Sequence, residues 1–405
     1  MLYPAFFRII PALALAGFTA ANGAQAVPKT GLDAENLRQI PARMRQFVKE
    51  GTISGAVTLI ARRDGIAALA AVGLADLEAK TPMRADTLFW IASMTKPVTA
   101  AAVLMLQDEW KLSVDDPVEK HLPEFKGQWL VQERSAAGMT LVKPPRAVTL
   151  RDLLTHTSGL GDVPAPRGTA TLAELVMAYA REPLQFEPGS RWSYSNAGLN
   201  TLGRIVEIVS GQKYEDFLRT RFFEPLGMKE TTFWPTKAQA KRVAKSYQPA
   251  KSGQGLEETE IFMVKGGLTD RTRTPFPSGG LFSTAGDLAR FYQMMLNGGT
   301  WRGRRLLSHA AVEELTRTQT GDLPTGFTPG MSYGLGFAVV KEPKGVTGML
   351  SAGTFGHGGA YGTQSWADPA RDLIVVLMIQ RAKLPNADAS DMRRVFQELA
   401  AGAVR

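Results

Sequence analysis

The chain has 405 residues, a net charge of +9 and no Cys, and the missing thiols exclude disulfides, thiolate metal sites, iron–sulfur clusters and a cysteine nucleophile. No apolar stretch reaches the roughly 20 residues that a membrane-spanning helix needs, so a multi-pass membrane protein is also excluded. The positive charges are spread along the sequence without a block of five or more, so the charge gives no support for nucleic-acid binding.

The first 26 residues have the three-part pattern of a secretory signal peptide. Arg8 precedes an apolar run over 9–21, and the segment that ends at Ala26 has the small-x-small spacing that signal peptidase cleaves. An uncleaved anchor and an N-terminal core helix are the alternatives for this segment. The pattern predicts a signal peptide over 1–26, a single mature domain over 27–405, and a periplasmic or secreted protein.

Apolar spacing and turn residues predict the elements of the first two thirds of the mature chain. The residues over 56–72 predict a β-hairpin. Apolar periodicity predicts helices over 32–49, 94–110 and 197–210. Threonines followed three positions later by an acidic residue have capping-box spacing and predict further helix starts at Thr149, Thr171 and Thr284.

The last third of the chain has a different pattern. The polar stretch over 235–277 predicts a loop-rich insertion. Strands are then predicted over 333–341, 361–367 and 373–379, before a final helix over 391–401. We therefore expect an α/β (α+β) fold, with one antiparallel sheet formed by the N- and C-terminal segments, flanked by helices, and a mostly helical subdomain inserted between them.

Ser93-Met94-Thr95-Lys96 is the first candidate for chemistry, because it lies where a predicted strand passes into a helix. Two side chains three positions apart share one helix face, and a neutral lysine amine there can take the proton of a serine hydroxyl. The alternative is a helix-capping Ser93 beside a solvated Lys96. A second match, from Ser210 to Lys213, is at a helix C-terminus, where the dipole has the wrong sign for an incipient oxyanion.

Two further segments carry residues that can complete such a site. Tyr194-Ser195-Asn196 lies just ahead of a predicted helix, and its phenol can serve as a phenolate or as a proton relay. Gly356-His357-Gly358-Gly359 joins a side chain that exchanges protons near pH 7 to glycines that let a backbone approach a ligand closely. The alternatives are a tyrosine packed on the core and a glycine-rich hairpin with an incidental histidine.

Gly330-Met331-Ser332-Tyr333-Gly334 fits the Gly-x-Ser-x-Gly pattern of α/β-hydrolases. That motif needs a strand, a sharp turn and then a helix. The residues after Ser332 predict a strand instead, so Ser332 is not the expected nucleophile.

Together these segments resemble the serine β-lactamase and penicillin-binding protein superfamily, in the branch with class C β-lactamases, family VIII carboxylesterases and D-amino-acid peptidases. Ser93-x-x-Lys96 and Tyr194-x-Asn196 match the first two motifs, and His357-Gly358-Gly359 stands where many relatives have Lys-Thr-Gly. The resemblance spans about residues 32–401. It implies a β-lactamase-like fold and no metal or organic cofactor.

The resemblance also implies a role for each matching residue. Ser93 would be acylated, while Lys96 and Tyr194 would handle the proton. Asn196 would help to hold Lys96 and the substrate. The backbone N–H groups of Ser93 and Ala360 would form the oxyanion hole, with Ala360 placed by His357, Gly358 and Gly359.

The expected function is an exported serine hydrolase that forms an acyl-enzyme with small esters or amides, of the carboxylesterase or D-peptidase type. His357 in place of a lysine favours esters, amides or small D-peptides over β-lactams, because a histidine is largely neutral at pH 7. A class C-like β-lactamase or D,D-carboxypeptidase is the alternative within the superfamily. A penicillin-binding or sensing protein with little turnover is the alternative from another class.

Overall fold

The computed structural model describes residues 31–136, 138–163, 169–264 and 266–405. The predicted signal peptide over 1–26 lies outside these residues. Within the described ranges, none of the helices combines the length and the apolar character needed to cross a bilayer.

The helices confirm most of the predicted starts. Thr149 and Thr171 form capping boxes with the acidic residues three positions on, and Thr284 caps its helix with its side chain. The described α-helices are α1 (Ala34–Lys49), α2 (Lys96–Asp108), α3 (Val118–His121), α4 (Leu150–Thr155), α5 (Leu172–Ala180), α6 (Asn196–Ser210), α7 (Tyr214–Leu218), α8 (Glu224–Leu226), α9 (Lys237–Ala240), α10 (Ala285–Leu296), α11 (His309–Thr316) and α12 (Asp391–Gly402).

Within the described part of the chain, the strands fall into one large sheet and four short two-stranded pairings. They are β1 (Gly55–Arg62), β2 (Gly65–Asp76), β3 (Thr81–Pro82), β4 (Phe89–Trp90), β5 (Leu130–Ser135), β6 (Gly138–Val142), β7 (Ser246–Pro249), β8 (Leu256–Thr259), β9 (Phe282–Ser283), β10 (Thr300–Trp301), β11 (Arg304–Arg305), β12 (Met331–Tyr333), β13 (Ala338–Val340), β14 (Phe355–Gly358), β15 (Gln364–Asp368) and β16 (Leu373–Met378).

The large sheet joins the two ends of the chain, as the sequence predicts. Its strand order is β12-β13-β14-β15-β16-β1-β2-β3, and its pairs are antiparallel. The N-terminal β1 lies beside the C-terminal β16, with Ile60 opposite Val375. Both strands are buried almost throughout, so this seam lies in the core and holds the two ends of the chain together.

Helices cover both faces of the sheet. Helices α1 and α12 pack on one face, where Ile40 and Phe396 share a core cluster with Trp366 of β15. Helix α10 lies on the other face against β1 and β16. Helix α2 is buried from Lys96 to Leu106 and packs on α6 and α11, so it forms the centre of the helical part of the molecule.

The structure corrects two of the predicted strands and adds one that was not predicted. The single strand expected over 333–341 is wrong, because β12 and β13 are separate strands that pair with each other. Gly336 turns the chain between them with a φ of 72°, and a Cβ atom there would lie 2.5 Å from the Cβ of Ala100. The strand expected to begin at Tyr361 begins at Gln364, and β14 was not predicted. The insertion over 235–277 contains α9 and the β7–β8 hairpin.

Candidate active site

Ser93 lies at the junction between β4 and α2, where the sequence predicted a strand-to-helix transition. Ala92 turns the chain with a φ of 46°, an unfavourable conformation for a residue with a Cβ atom. A 3₁₀ turn over Ala92–Thr95 then leads directly into α2. The side chain of Ser93 is half-buried, so its hydroxyl stands at the positive end of a buried helix and within reach of solvent.

The Lys96 side chain is fully buried beneath Ser93. Its Nζ atom lies 3.1 Å from Ser93 Oγ, 2.9 Å from Asn196 Oδ1 and 2.7 Å from the carbonyl oxygen of Ser278. The Asn196 and Ser278 oxygens can only accept hydrogen bonds, so they take both hydrogens of a neutral amine. The nitrogen lone pair is then left for the hydroxyl hydrogen of Ser93, which is the arrangement that a general base needs.

The surroundings of Lys96 favour that neutral amine. Burial lowers the pKa of Lys96 from its ordinary value near 10.5 to about 7, because the charged form loses its hydration. The negative charge of Asp162 acts in the opposite direction and keeps the pKa from falling further. A substantial fraction of the amine is therefore unprotonated at neutral pH.

Asn196 begins α6 and is fixed by Asp162. The Asn196 Nδ2 atom donates to Asp162 Oδ2 over 3.2 Å, which turns the Oδ1 atom of Asn196 toward Lys96. Asp162 also accepts from the backbone N–H groups of Asn196 and Ala197. The amide nitrogen carries two hydrogens, and the bond to Asp162 uses one of them.

Tyr194 lies against both Ser93 and Lys96. The Nζ atom of Lys96 is 4.6 Å from the centre of the phenol ring. Burial raises the pKa of Tyr194 above its usual value, while hydrogen bonding to the Ser93 hydroxyl acts in the opposite direction. Of the two roles considered for this residue, the resting phenolate is therefore disfavoured, and the neutral phenol is suited to relay a proton.

A second network holds His357 through Tyr333 and His156. The backbone N–H of Ser195 donates to His156 Nδ1 over 3.1 Å, so His156 carries its hydrogen on Nε2. That hydrogen is donated to the Tyr333 hydroxyl over 3.1 Å, and the hydroxyl donates in turn to His357 Nε2 over 2.8 Å. His357 Nδ1 donates to the carbonyl oxygen of Gly358 over 2.6 Å.

This network keeps His357 neutral. A proton added to Nε2 would leave the Tyr333 hydroxyl hydrogen without an acceptor, which is costly in a buried place. Burial, together with the nearby Lys96, lowers the pKa of His357 to about 4. The expectation that His357 exchanges protons near pH 7 is therefore wrong. His357 also lies within β14, a strand that the sequence did not predict.

The glycines after His357 allow two close backbone approaches. A Cβ atom on Gly359 would overlap the side chain of Thr363 and come within 2.7 Å of the Ile91 carbonyl oxygen. Gly359 is thus packed against the segment that leads into Ser93, and the exposed Ala360 follows it. Gly358 faces a different neighbour, because a Cβ atom there would overlap the carboxylate of Asp388.

The other two serines that match a catalytic pattern, Ser332 and Ser210, lie in surroundings that do not suit a nucleophile. Ser332 is buried within β12 and lies 3.1 Å from the Thr320 hydroxyl, and a turn and a second strand follow it instead of a helix. Ser210 ends α6, where its hydroxyl accepts from the backbone N–H of Gln212. Neither serine has the lysine contact that Ser93 has.

Sequence reasoning missed five residues that shape the site. Ser278 and His156 lie outside the three motifs on which the family resemblance rests, so their roles were not predicted. Asp162 and Asp388 carry no local pattern that marks them. Tyr333 belongs to the Gly-x-Ser-x-Gly match, which drew attention to the neighbouring serine instead.

The chain is similar to several proteins over most of its length. The family model described as Beta-lactamase matches residues 40–400. Esterase EstB of Burkholderia gladioli is 34% identical over 382 residues, which cover 87% of this chain and 92% of the esterase. Penicillin-binding protein 4 of Amycolatopsis lactamdurans is 33% identical over 283 residues, which cover 69% of this chain and 68% of that protein. The structure of EstCE1, "a hydrolase with promiscuous acyltransferase activity", superposes with a TM-score of 0.74 at 25% identity, covering 91% of this chain and 99% of that one.

Proposed function

Because the chain belongs to the beta-lactamase family, we propose that it is an exported serine hydrolase that acts on small esters or amides through an acyl-enzyme. One observation carries this proposal. Both hydrogens of a neutral Lys96 amine are taken by Asn196 Oδ1 and the Ser278 carbonyl oxygen, and its lone pair remains for Ser93. The coarser statement, a hydrolase with the β-lactamase fold, rests on the family match and the relatives.

Acylation begins at the Ser93 hydroxyl. Its proton passes to Lys96 Nζ as the oxygen attacks the carbonyl carbon of the ester or amide, and the carbonyl oxygen becomes the oxyanion. The backbone N–H groups of Ser93 and Ala360 would bind that oxygen, and loss of one such donor costs about 2.7–4 kcal/mol of transition-state stabilisation. The tetrahedral intermediate then loses its leaving group, which takes up the proton through the phenol of Tyr194.

Deacylation repeats these steps with water as the nucleophile. Water gives its proton to the Tyr194–Lys96 pair and attacks the acyl carbon, and the bond to Ser93 Oγ breaks as that oxygen is protonated again. The products are a carboxylic acid and the free enzyme, and no cofactor takes part.

The third motif, His357-Gly358-Gly359, is uncharged. This favours ester and amide substrates over substrates whose binding needs a cation at position 357. His357 is tied to Tyr333 and Gly358 in its uncharged form. The similarity to esterase EstB points in the same direction. We further propose that residues 1–26 direct export and that the mature hydrolase is the single domain over 27–405.

The hydrolysis of p-nitrophenyl acetate tests this proposal. We expect Ser93→Ala to abolish turnover, and we expect the matched buried-serine variant Ser332→Ala to retain it. Intact-mass measurement after mixing with the ester should show one acetyl group on the wild-type protein and none on Ser93→Ala. Activity that survives in Ser93→Ala, or that is lost in Ser332→Ala alone, would contradict the assignment. A stable adduct without turnover would favour the sensing protein.

A further inference from the structure

The third motif has an acidic neighbour, Asp388. Its carboxylate occupies the space that a side chain at position 358 would need. A Cβ atom on Gly358 would overlap Asp388 Oδ1 and lie 2.6 Å from Gln364 Nε2. Gln364 Nε2 donates to Asp388 Oδ1 over 2.9 Å. The carboxylate of Asp388 is therefore held against the backbone of β14, next to the segment that leads to Ala360.

That carboxylate is near enough to act on the candidate active site. The Asp388 side chain keeps 23% of its surface exposed to solvent. Its negative charge raises the pKa of Tyr194 and of Tyr333, and it also acts on His357. A charged substrate bound at Ser93 would meet the same field.

The cations nearby offset this charge only in part. Lys96, with a pKa of about 7, is only partly protonated at pH 7, and His357 has its two nitrogens occupied in the uncharged form. Arg393 lies 4.0 Å from Asp388 Oδ1, but it is 1% exposed, and its guanidinium is stacked over Trp366. Its Nη1 hydrogen is donated to the backbone carbonyl of Asp388.

A second acid near the site, Asp162, has a charge of the same sign. Asp162 is exposed and binds Asn196 through both the backbone and the side chain. Its charge acts on Lys96 and on Tyr194. A substrate that reaches Ser93 therefore meets the charges of two carboxylates.

From this geometry we propose that Asp388 is a specificity-determining residue, which makes the site discriminate against esters and amides with a carboxylate close to the scissile bond. Neutral and cationic substrates are accepted. The inference rests on the proposed function, since it concerns substrates hydrolysed at Ser93. It separates this protein from enzymes that require a substrate carboxylate.

Three acetate esters with different leaving groups test the proposal. Phenyl acetate is neutral, 3-acetoxybenzoate is anionic, and 3-acetoxy-N,N,N-trimethylanilinium is cationic. Each kcat/KM is divided by the rate constant for hydroxide hydrolysis of the same ester, which removes differences in intrinsic reactivity. We expect the anionic ester to be at least about tenfold poorer than the neutral ester, because like charges repel at a partly buried site. We expect the cationic ester to match or exceed the neutral ester.

The variant Asp388→Asn removes the charge and keeps an acceptor for Gln364. We expect it to reduce the gap between the anionic and neutral esters to under about threefold, because it removes one of the two carboxylates near the site and leaves Asp162 and the cation Arg393. The matched control Asp64→Asn, in the exposed β1–β2 turn, should leave the gap unchanged. A second measurement needs no variant: raising salt from about 0.02 M to about 0.5 M should narrow the wild-type gap by screening.

The outcomes separate this inference from the proposed function. Equal normalised rates for the three esters, or a gap that neither salt nor Asp388→Asn changes, would overturn the role of Asp388 while leaving the hydrolase intact. Failure of the wild-type protein to hydrolyse any of the three esters would contradict the proposed function, and this inference with it.

Discussion

Two hydrogen-bond networks meet at the candidate active site, and they differ in one respect. Around Lys96, the two oxygen acceptors leave a nitrogen lone pair facing the Ser93 hydroxyl. Along the chain from His156 through Tyr333 to His357, both imidazoles have both nitrogens occupied. Lys96 in the first network can accept a proton without losing a hydrogen bond, whereas neither histidine in the second network can.

The difference indicates which network does chemistry and which one gives shape. Desolvation lowers the pKa of both Lys96 and His357. For the lysine this brings the pKa to about 7, where a base is effective near neutral pH. For the histidine it brings the pKa to about 4, so the ring stays neutral and holds the backbone of Gly358. Burial thus activates one residue and makes the other a fixed part of the structure.

Beyond loss of the nucleophile itself, the largest effect is expected for Tyr194→Phe, which removes the phenol that lies beside Ser93 and Lys96. We expect kcat for p-nitrophenyl acetate to fall by about 10²–10³-fold with little change in KM, because the proton transfer belongs to the transition state. Steady-state kinetics give the two constants separately. Tyr292→Phe is the matched control, since Tyr292 is a buried tyrosine whose hydroxyl accepts from Ser365. An unchanged kcat in Tyr194→Phe would remove the phenol from the mechanism.

A smaller effect on activity is expected for Tyr333→Phe, which removes the hydroxyl that links His156 and His357 in the second network. The Nε2 atoms of His156 and His357 would lose their shared partner, and the unfolding free energy should fall by about 1–3 kcal/mol. We expect kcat/KM to fall by roughly tenfold as His357 loses its fixed orientation. Chemical denaturation and ester kinetics measure the two quantities. If Tyr292→Phe lowers kcat/KM by as much, the network has no special role.

The sequence predicted the residues whose function follows from short-range spacing. Ser93 and Lys96 are three positions apart at a helix start, and Tyr194 and Asn196 are two apart at another. The antiparallel sheet formed by both chain ends was also predicted, because β1, β2 and β16 carry long apolar runs. These features depend on local pattern, which a single sequence contains.

Features that depend on contacts between distant segments were missed. Strand β14 contains glycines, which lower strand propensity, yet Gly356 is required there because a Cβ atom would overlap the Ser365 carbonyl oxygen of β15. Asp388 and Tyr333 reach the site from segments whose own sequence shows no sign of it. Their roles follow only from the packing of β12, β14 and the segment just before α12 around one place.

The pH dependence of kcat/KM for p-nitrophenyl acetate tests most directly whether a neutral Lys96 activates Ser93. Only the unprotonated amine has a free lone pair, so we expect kcat/KM to rise through about pH 7 to a plateau. Asp162→Asn should move this rise to lower pH, because the charge of Asp162 raises the pKa of Lys96. A flat profile between about pH 5.5 and about pH 9, or a rise that Asp162→Asn does not move, would contradict the account.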